Sequence, residues 1–162
     1  MTTYEVTWLG TGRAAVSDPA QIGEVLRALH DGGQPCVVDV FRHRDGRPDG
    51  GAQVGVGHPD RSFVLYFGEP DGGYAVEPGI EPWGCDIEFS YGGQPTDYTS
   101  SETRITPDRA IALVRQLVAT DSRPAGVDWD EGVDPNATPT DVQWELVDDQ
   151  SSIIRVDHYH QD

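Results

Sequence analysis

Apolar side chains occupy every second position at the start of the chain, where Tyr4, Val6 and Trp8 predict a half-buried β-strand over residues 4–9. Four further segments are rich in β-favouring residues and bounded by turn formers, and they predict strands at residues 35–41, 52–58, 62–67 and 74–77. Apolar and polar residues alternate again over residues 85–91. This pattern predicts a strand with Ile87, Phe89 and Tyr91 on one side and a solvent-exposed opposite side. Asp-Gly and Gly-Gly pairs predict a turn or flexible loop at residues 44–51.

Two other segments show the period of a helix. In the first, Asp18 and Gln21 predict a capping box, Pro19 suits the first turn, and Gly32 and Gly33 end the pattern. The apolar face of this helix is Ile22, Val25, Leu26 and Leu29. In the second, Thr106 is the predicted N-cap and Pro107 begins the helix. Its apolar stripe is Ala110, Ile111, Val114, Leu117 and Val118.

Two helices among about eight strands predict an α+β domain, a largely antiparallel β-sheet with two α-helices packed on one face. We expect this domain to span residues 1–132. Turn formers follow it, and residues 142–147 and 152–156 predict a hairpin. The acidic C-terminal extension, residues 133–162, is therefore either a β-hairpin or a flexible tail.

Charge is the strongest signal in the composition. The chain has 28 acidic and 11 basic residues, a net charge of -17 and a pI near 4.3. Such a surface repels nucleic acid and anionic lipid, and it speeds the capture of a basic protein at low salt. We therefore expect a protein partner and no nucleic acid or membrane partner. The alternative is that the acidity keeps the protein soluble and does nothing else.

The sequence also indicates a compartment. We find neither a signal peptide at the start nor an apolar run of the length that spans a bilayer, which predicts a cytoplasmic protein. Cys36 and Cys85 lie in apolar or strand-like surroundings, and we expect both to be reduced, buried thiols.

Candidate catalytic and ligand-binding residues are few. Neither cysteine lies in a nucleophile motif, and four histidines lack the neighbours of a metal site: His43, His58, His158 and His160. Carboxylate pairs are too abundant to single out a hydrolase, and the glycines form no complete dinucleotide-binding fingerprint. We therefore expect no catalytic residues, no cofactor and no metal, and hence no enzyme.

Acidic residues interleaved with tryptophan are the feature that suggests a binding surface. From Thr120 onward there are eleven acids against two arginines, a balance of -9. Aromatic side chains anchor protein interfaces, and carboxylates steer and pair with arginine or lysine. A tryptophan such as Trp129 is, however, more often part of a core. The candidate toxin-binding residues are Trp83, Asp86, Glu88, Asp128, Asp130, Glu131, Trp144, Glu145, Asp148 and Asp149.

Residues 52–129 resemble the first-numbered family of immunity proteins from bacterial polymorphic toxin systems. The similar features are the strand at residues 54–57, the segment at 62–67, and the predicted helix from Thr106 to Val118, which runs through a polar turn and Pro124 to a Val-Asp-Trp strand ending at Trp129. The resemblance implies a cytoplasmic protein that protects its producer by binding a toxin. It further implies that the toxin acts on nucleic acid, as a DNA deaminase or nuclease does, and has a basic groove. The similar residues are structural, so none is assigned a toxin contact.

The leading hypothesis is an immunity protein that binds a cognate, basic toxin and occludes its active site. One competing reading is a small hydrolase that uses scattered carboxylates and His58. Another is an acidic adaptor domain without a toxin partner. The sequence names neither the toxin nor the oligomeric state.

Overall fold

The computed structural model describes residues 2–68 and 72–130, together with two strands near the C-terminus. The helices are α1 (Pro19–Asp31) and α2 (Pro107–Thr120). The strands are β1 (Thr2–Trp8), β2 (Gly12–Val16), β3 (Cys36–Arg44), β4 (Arg47–Val56), β5 (Val64–Tyr66), β6 (Gly73–Val76), β7 (Ile87–Tyr91), β8 (Gln94–Tyr98), β9 (Asp128–Asp130), β10 (Val142–Leu146) and β11 (Ile153–Asp157). The chain divides into two units, Met1–Gly132 and Val133–Asp162.

Nine strands of the first unit form one sheet in the order β2-β1-β3-β4-β5-β6-β9, with β7 beside β3 and β8 beside β7. All strand pairs are antiparallel except the short parallel pairing of Cys36 in β3 with Ser90 in β7. β1 pairs with β3 as far as Trp8, opposite Val38, so β7 takes over this edge of β3 where β1 ends. The predicted α+β class and largely antiparallel sheet are confirmed.

Both helices begin where their sequence signals predict. The Asp18 carboxylate accepts a hydrogen bond from Ala20 N at 2.7 Å. The Gln21 side-chain oxygen accepts a hydrogen bond from Ser17 N, whereas the predicted capping box would pair it with Asp18 N. Thr106 is the N-cap of α2, but its hydroxyl donates to Glu77 Oε1 at 2.7 Å and so does not cap the helix. Thr106 ties the start of α2 to the segment after β6.

The main core lies between the helices and one face of the sheet. Alternate strand residues such as Val6, Val38 and Val54 are fully buried there against Leu26 and Leu117. A second, smaller core lies on the other face. It comprises Val37, Phe63, Ile87, Phe89 and Tyr98. The β7–β8 hairpin thus covers part of the face that the helices leave open.

The second unit contributes an antiparallel hairpin in which β10 pairs with β11, Trp144 lying opposite Arg155. The predicted pair of strands is therefore present. Its assignment as an acidic extension that follows a domain ending at residue 132 stays a prediction.

Several local expectations need correction. The turn predicted within residues 44–51 is present, but it is confined to Asp45 and Gly46, because β4 already begins at Arg47. The hydrophobic pattern did not predict the strands β2 and β8. In β8 the residues are mostly polar and include Pro95, which is tolerated because β8 is an edge strand. Cys36 is buried as expected, whereas Cys85 is exposed.

Candidate protein-interaction surface

Side chains that lie opposite each other in an antiparallel sheet share one face. On the face away from the helices, the strand register places seven such positions in one continuous row. From β2 to β9 they are Arg13, Thr7, Asp39, Gln53, Leu65, Tyr74 and Asp130. We call this the helix-free face. Asp39 and Asp130 are four strands apart, or about 19 Å at the usual strand spacing.

Part of this face is closed by the second core. The Phe63 ring stacks on Tyr98 with ring centres 4.0 Å apart and meets Phe89 edge-on at 5.3 Å. Both phenylalanines lie directly on Gly55 of β4, where an added Cβ would come within 2.7 Å of Phe63 and 2.8 Å of Phe89. A glycine in β4 therefore lets the β7–β8 hairpin pack flat against the sheet.

Beyond the hairpin, aromatic side chains reach solvent. Phe67 is 36% exposed and Tyr91 is 38% exposed, and they are the large hydrophobic residues most open to water in the described part of the chain. Phe67 stacks on Phe41 with ring centres 6.5 Å apart. Gly51 lies opposite Phe41 in the register, and Phe67 N donates to Gly51 O. The two rings therefore form an apolar patch on the helix-free face.

A buried carboxylate lies next to this patch. Asp39 is only 8% exposed, and its Oδ1 accepts a hydrogen bond from the Tyr91 hydroxyl at 3.3 Å. Gln53 Nε2 in turn donates to the Tyr91 oxygen at 2.9 Å. Burial raises the pKa of Asp39, and the hydrogen bonds with Gln53 and Tyr91 act in the opposite direction. The pKa of Tyr91 is raised as well, first by burial and then by the negative charge of Asp39.

The outer side of the β7–β8 hairpin is acidic. Glu88 and Asp97 are both exposed and lie directly opposite each other in the register. Like charges in this position repel and weaken a strand pair. A basic partner would relieve that repulsion.

The predicted site residue Trp83 has partners within the protein. Its ring meets the His58 ring edge-on at 5.7 Å, and the Arg61 guanidinium lies 4.8 Å from its centre. Trp83 is partly buried against the second core. It therefore fixes the loop before β7, and the nearby Asp86 and Glu88 are exposed.

Trp129 is also held internally. Its Nε1 donates to Pro124 O at 3.1 Å, and its ring packs on Tyr66 at 5.9 Å. Its neighbours Asp128 and Asp130 are exposed and point to the helix-free face, on the opposite side of β9. The predicted Glu131, Asp148 and Asp149 lie outside the described residues. The structure places Trp144 and Glu145 on β10 without describing their side chains.

The histidine of the competing hydrolase reading has a local structural role. His58 Nδ1 accepts hydrogen bonds from Asp60 N at 3.1 Å and from Arg61 N at 3.0 Å. Burial lowers the pKa of His58, which favours the neutral ring that these bonds require. Within the described residues, no three side chains of the metal-binding types lie close enough together to hold an ion.

The geometry of this surface does not identify the protein family, but a comparison with protein families does. The family model described as Immunity protein Imm1 matches residues 10–131, which is more than half of the chain. The chain belongs to the Imm1 family of immunity proteins. The resemblance inferred from the sequence is confirmed. A comparison with curated proteins found no match.

The Imm1 match covers every position of the helix-free face except Thr7, because the whole of β1 precedes residue 10, and it ends before β10. It therefore includes Trp83, Asp86, Glu88, Asp128, Asp130 and Glu131 and excludes Trp144, Glu145, Asp148 and Asp149. Within the described residues, no helix is both long and apolar enough to cross a membrane.

Sequence reasoning missed four residues of the candidate surface on the helix-free face: Asp39, Phe41, Phe67 and Tyr91. One of them had a signal, because Asp39 is the single charged residue in an otherwise apolar run at residues 35–41. The sequence contains no signal for the exposure of Phe67 and Tyr91, because that exposure depends on how far the β7–β8 hairpin reaches across the sheet.

Proposed function

We propose that this Imm1-family protein binds a cognate toxin in the cytoplasm of the producing cell and covers the toxin's active site. The family match over residues 10–131 carries the proposal. The toxin belongs to a polymorphic toxin system and acts on nucleic acid, as a DNA deaminase or nuclease does. Because such toxins bind phosphate backbones, their substrate grooves are basic. The immunity protein itself catalyses no reaction.

The charge of the chain supports a basic partner. A net charge of -17 accelerates encounter with a positively charged groove and repels the toxin's own substrate. On the helix-free face, Phe41, Phe67 and Tyr91 supply the apolar contact area, and the exposed Asp128 and Asp130 lie at one end of the row. Aromatic anchors with a charged rim are typical of tight protein interfaces.

The remaining predicted contacts belong to the same proposal. Glu88 and Asp86 extend the acidic rim along the hairpin that covers the second core. Trp83 supports this rim by its packing on His58 and Arg61. Trp144, Glu145, Asp148 and Asp149, with Glu131 before them, add further acidic and aromatic contacts from residues 131–149.

Co-expression with the toxin domain encoded by the adjacent gene tests the function. The full chain should restore growth, and the purified pair should form a complex whose association rate falls as salt is raised. A chain ending at residue 132 should also restore growth, with weaker binding if the extension contributes contacts. Absence of both rescue and binding for the full chain would refute the proposal.

A further inference from the structure

A cavity of about 380 Å³ opens on the helix-free face, between the turn that joins β1 to β2 and the end of β7. Trp8, Arg13, Asp39, Tyr91 and Gly92 line it, together with the turn residues 9–12. Its volume lies near the lower end of the range for sites that enclose a small ligand or a single side chain.

The cavity contains a carboxylate without a cationic partner. Asp39 is nine-tenths buried, and its hydrogen-bonding neighbours, Tyr91 and Gln53, are neutral. The cavity's own cation, Arg13, pairs with Glu5 at 3.2 Å. None of the ion pairs between described residues includes Asp39. A buried carboxylate in this state costs free energy that a cationic ligand would recover.

The shape and lining of the cavity favour one kind of cation. A guanidinium is planar and weakly hydrated, stacks on aromatic rings, and pairs with a carboxylate through two hydrogen bonds. The cavity offers the partly exposed Tyr91 ring beside the Asp39 carboxylate, to which the Tyr91 hydroxyl donates. An ammonium group is more strongly hydrated and forms no such planar pair, so lysine is a poorer fit. Anions are repelled by Asp39.

We propose that this cavity receives one arginine side chain of the bound toxin, with Asp39 as its counter-ion. The proposal rests on the proposed function and deepens it, because it assigns a specific anchor to the helix-free face. The exposed Tyr91 ring and the Phe41–Phe67 pair lie on the same face and would surround this anchor with apolar contacts.

The test compares toxin binding by the wild-type protein with binding by Asp39→Asn and by Glu24→Gln. Asn keeps the size of Asp39 and an oxygen that can accept the Tyr91 hydrogen bond, and it removes the charge. Glu24 is an exposed acid on α1 and serves as the matched control. Affinity should fall at least about 30-fold for Asp39→Asn and less than about threefold for Glu24→Gln. Thermal unfolding of each variant verifies that it is folded.

A second measurement probes the cavity directly. Titration of the ¹⁵N-labelled protein with N-acetyl-L-argininamide should shift the amide signals of Gly10 and Gly92, which line the cavity, with smaller shifts for N-acetyl-L-lysinamide and none for Asp39→Asn. Equal toxin affinity of wild type and Asp39→Asn would overturn the arginine site and leave the immunity function standing. Failure of the wild type to bind the toxin would overturn the proposed function itself. Equal shifts with both amides would overturn the preference for guanidinium.

Discussion

The rings of Phe41 and Phe67 stack 6.5 Å apart on the helix-free face, over a strand position occupied by glycine. Because Phe67 is 36% exposed, its side chain contributes little to the core and is available to a partner. Phe67→Ala should therefore lower toxin affinity about tenfold. The free energy of unfolding should fall by less than about 2 kcal/mol. Titration calorimetry and urea denaturation measure the two effects.

The matched control is Leu29→Ala, which removes an apolar side chain from α1 on the other side of the sheet. This variant should lose stability without losing affinity for the toxin. If the two substitutions reduced affinity equally, the aromatic patch would not be part of the interface.

Elements with local signals could be predicted from the sequence. Asp18 and Pro19 set the start of α1, and alternation gave β1 and β7. β2 carries no alternating pattern of its own and is a strand because it pairs with β1, so its assignment needed a non-local contact.

The candidate surface shows the same limit. Trp83 looked like an interface anchor because acids follow it in the sequence, but its neighbours in space are His58 and Arg61 from another turn. Asp39 meets Tyr91, which is 52 residues away, only because β7 takes over the edge of β3 where β1 ends. A pattern along the chain does not contain that information.

The opposed acids Glu88 and Asp97 give a second prediction. Removing one charge, as in Asp97→Asn, should raise the free energy of unfolding by about 0.2–1 kcal/mol at low salt, because a direct cross-strand repulsion disappears. The gain should shrink when salt screens the pair. Denaturation at low and high sodium chloride measures it, with Glu24→Gln on α1 as the control. Association with the toxin should be slower for Asp97→Asn. A variant less stable than the wild type at low salt would contradict this interpretation.

The second core gives a third prediction. Phe63 is fully buried and contacts Tyr74, Phe89 and Tyr98, so Phe63→Ala should reduce the free energy of unfolding by about 3–5 kcal/mol. This is a large share of the stability of an ordinary domain. Phe63→Leu keeps most of the buried surface and should lose less. Urea denaturation ranks the three proteins. A loss for Phe63→Ala as small as that for the exposed Phe67→Ala would mean that the hairpin is not packed on the sheet as described.

The buried carboxylate gives a fourth prediction, on pH. Burial raises the pKa of Asp39 in the folded protein above its value in the unfolded chain, which is about 3.9. The folded state therefore holds this proton more tightly, so the contribution of Asp39 to stability is greatest at low pH. This contribution declines as pH rises from the unfolded pKa through the raised folded pKa. Above the folded pKa, the full destabilisation by the buried charge is present.

The variant Asp39→Asn has no such proton to lose. The difference in unfolding free energy between Asp39→Asn and wild type should thus grow in favour of the variant as pH rises above the unfolded pKa of about 3.9, and level off above the raised folded pKa. Urea denaturation at a series of pH values measures it, and a difference independent of pH would show that Asp39 titrates as it does in the unfolded chain.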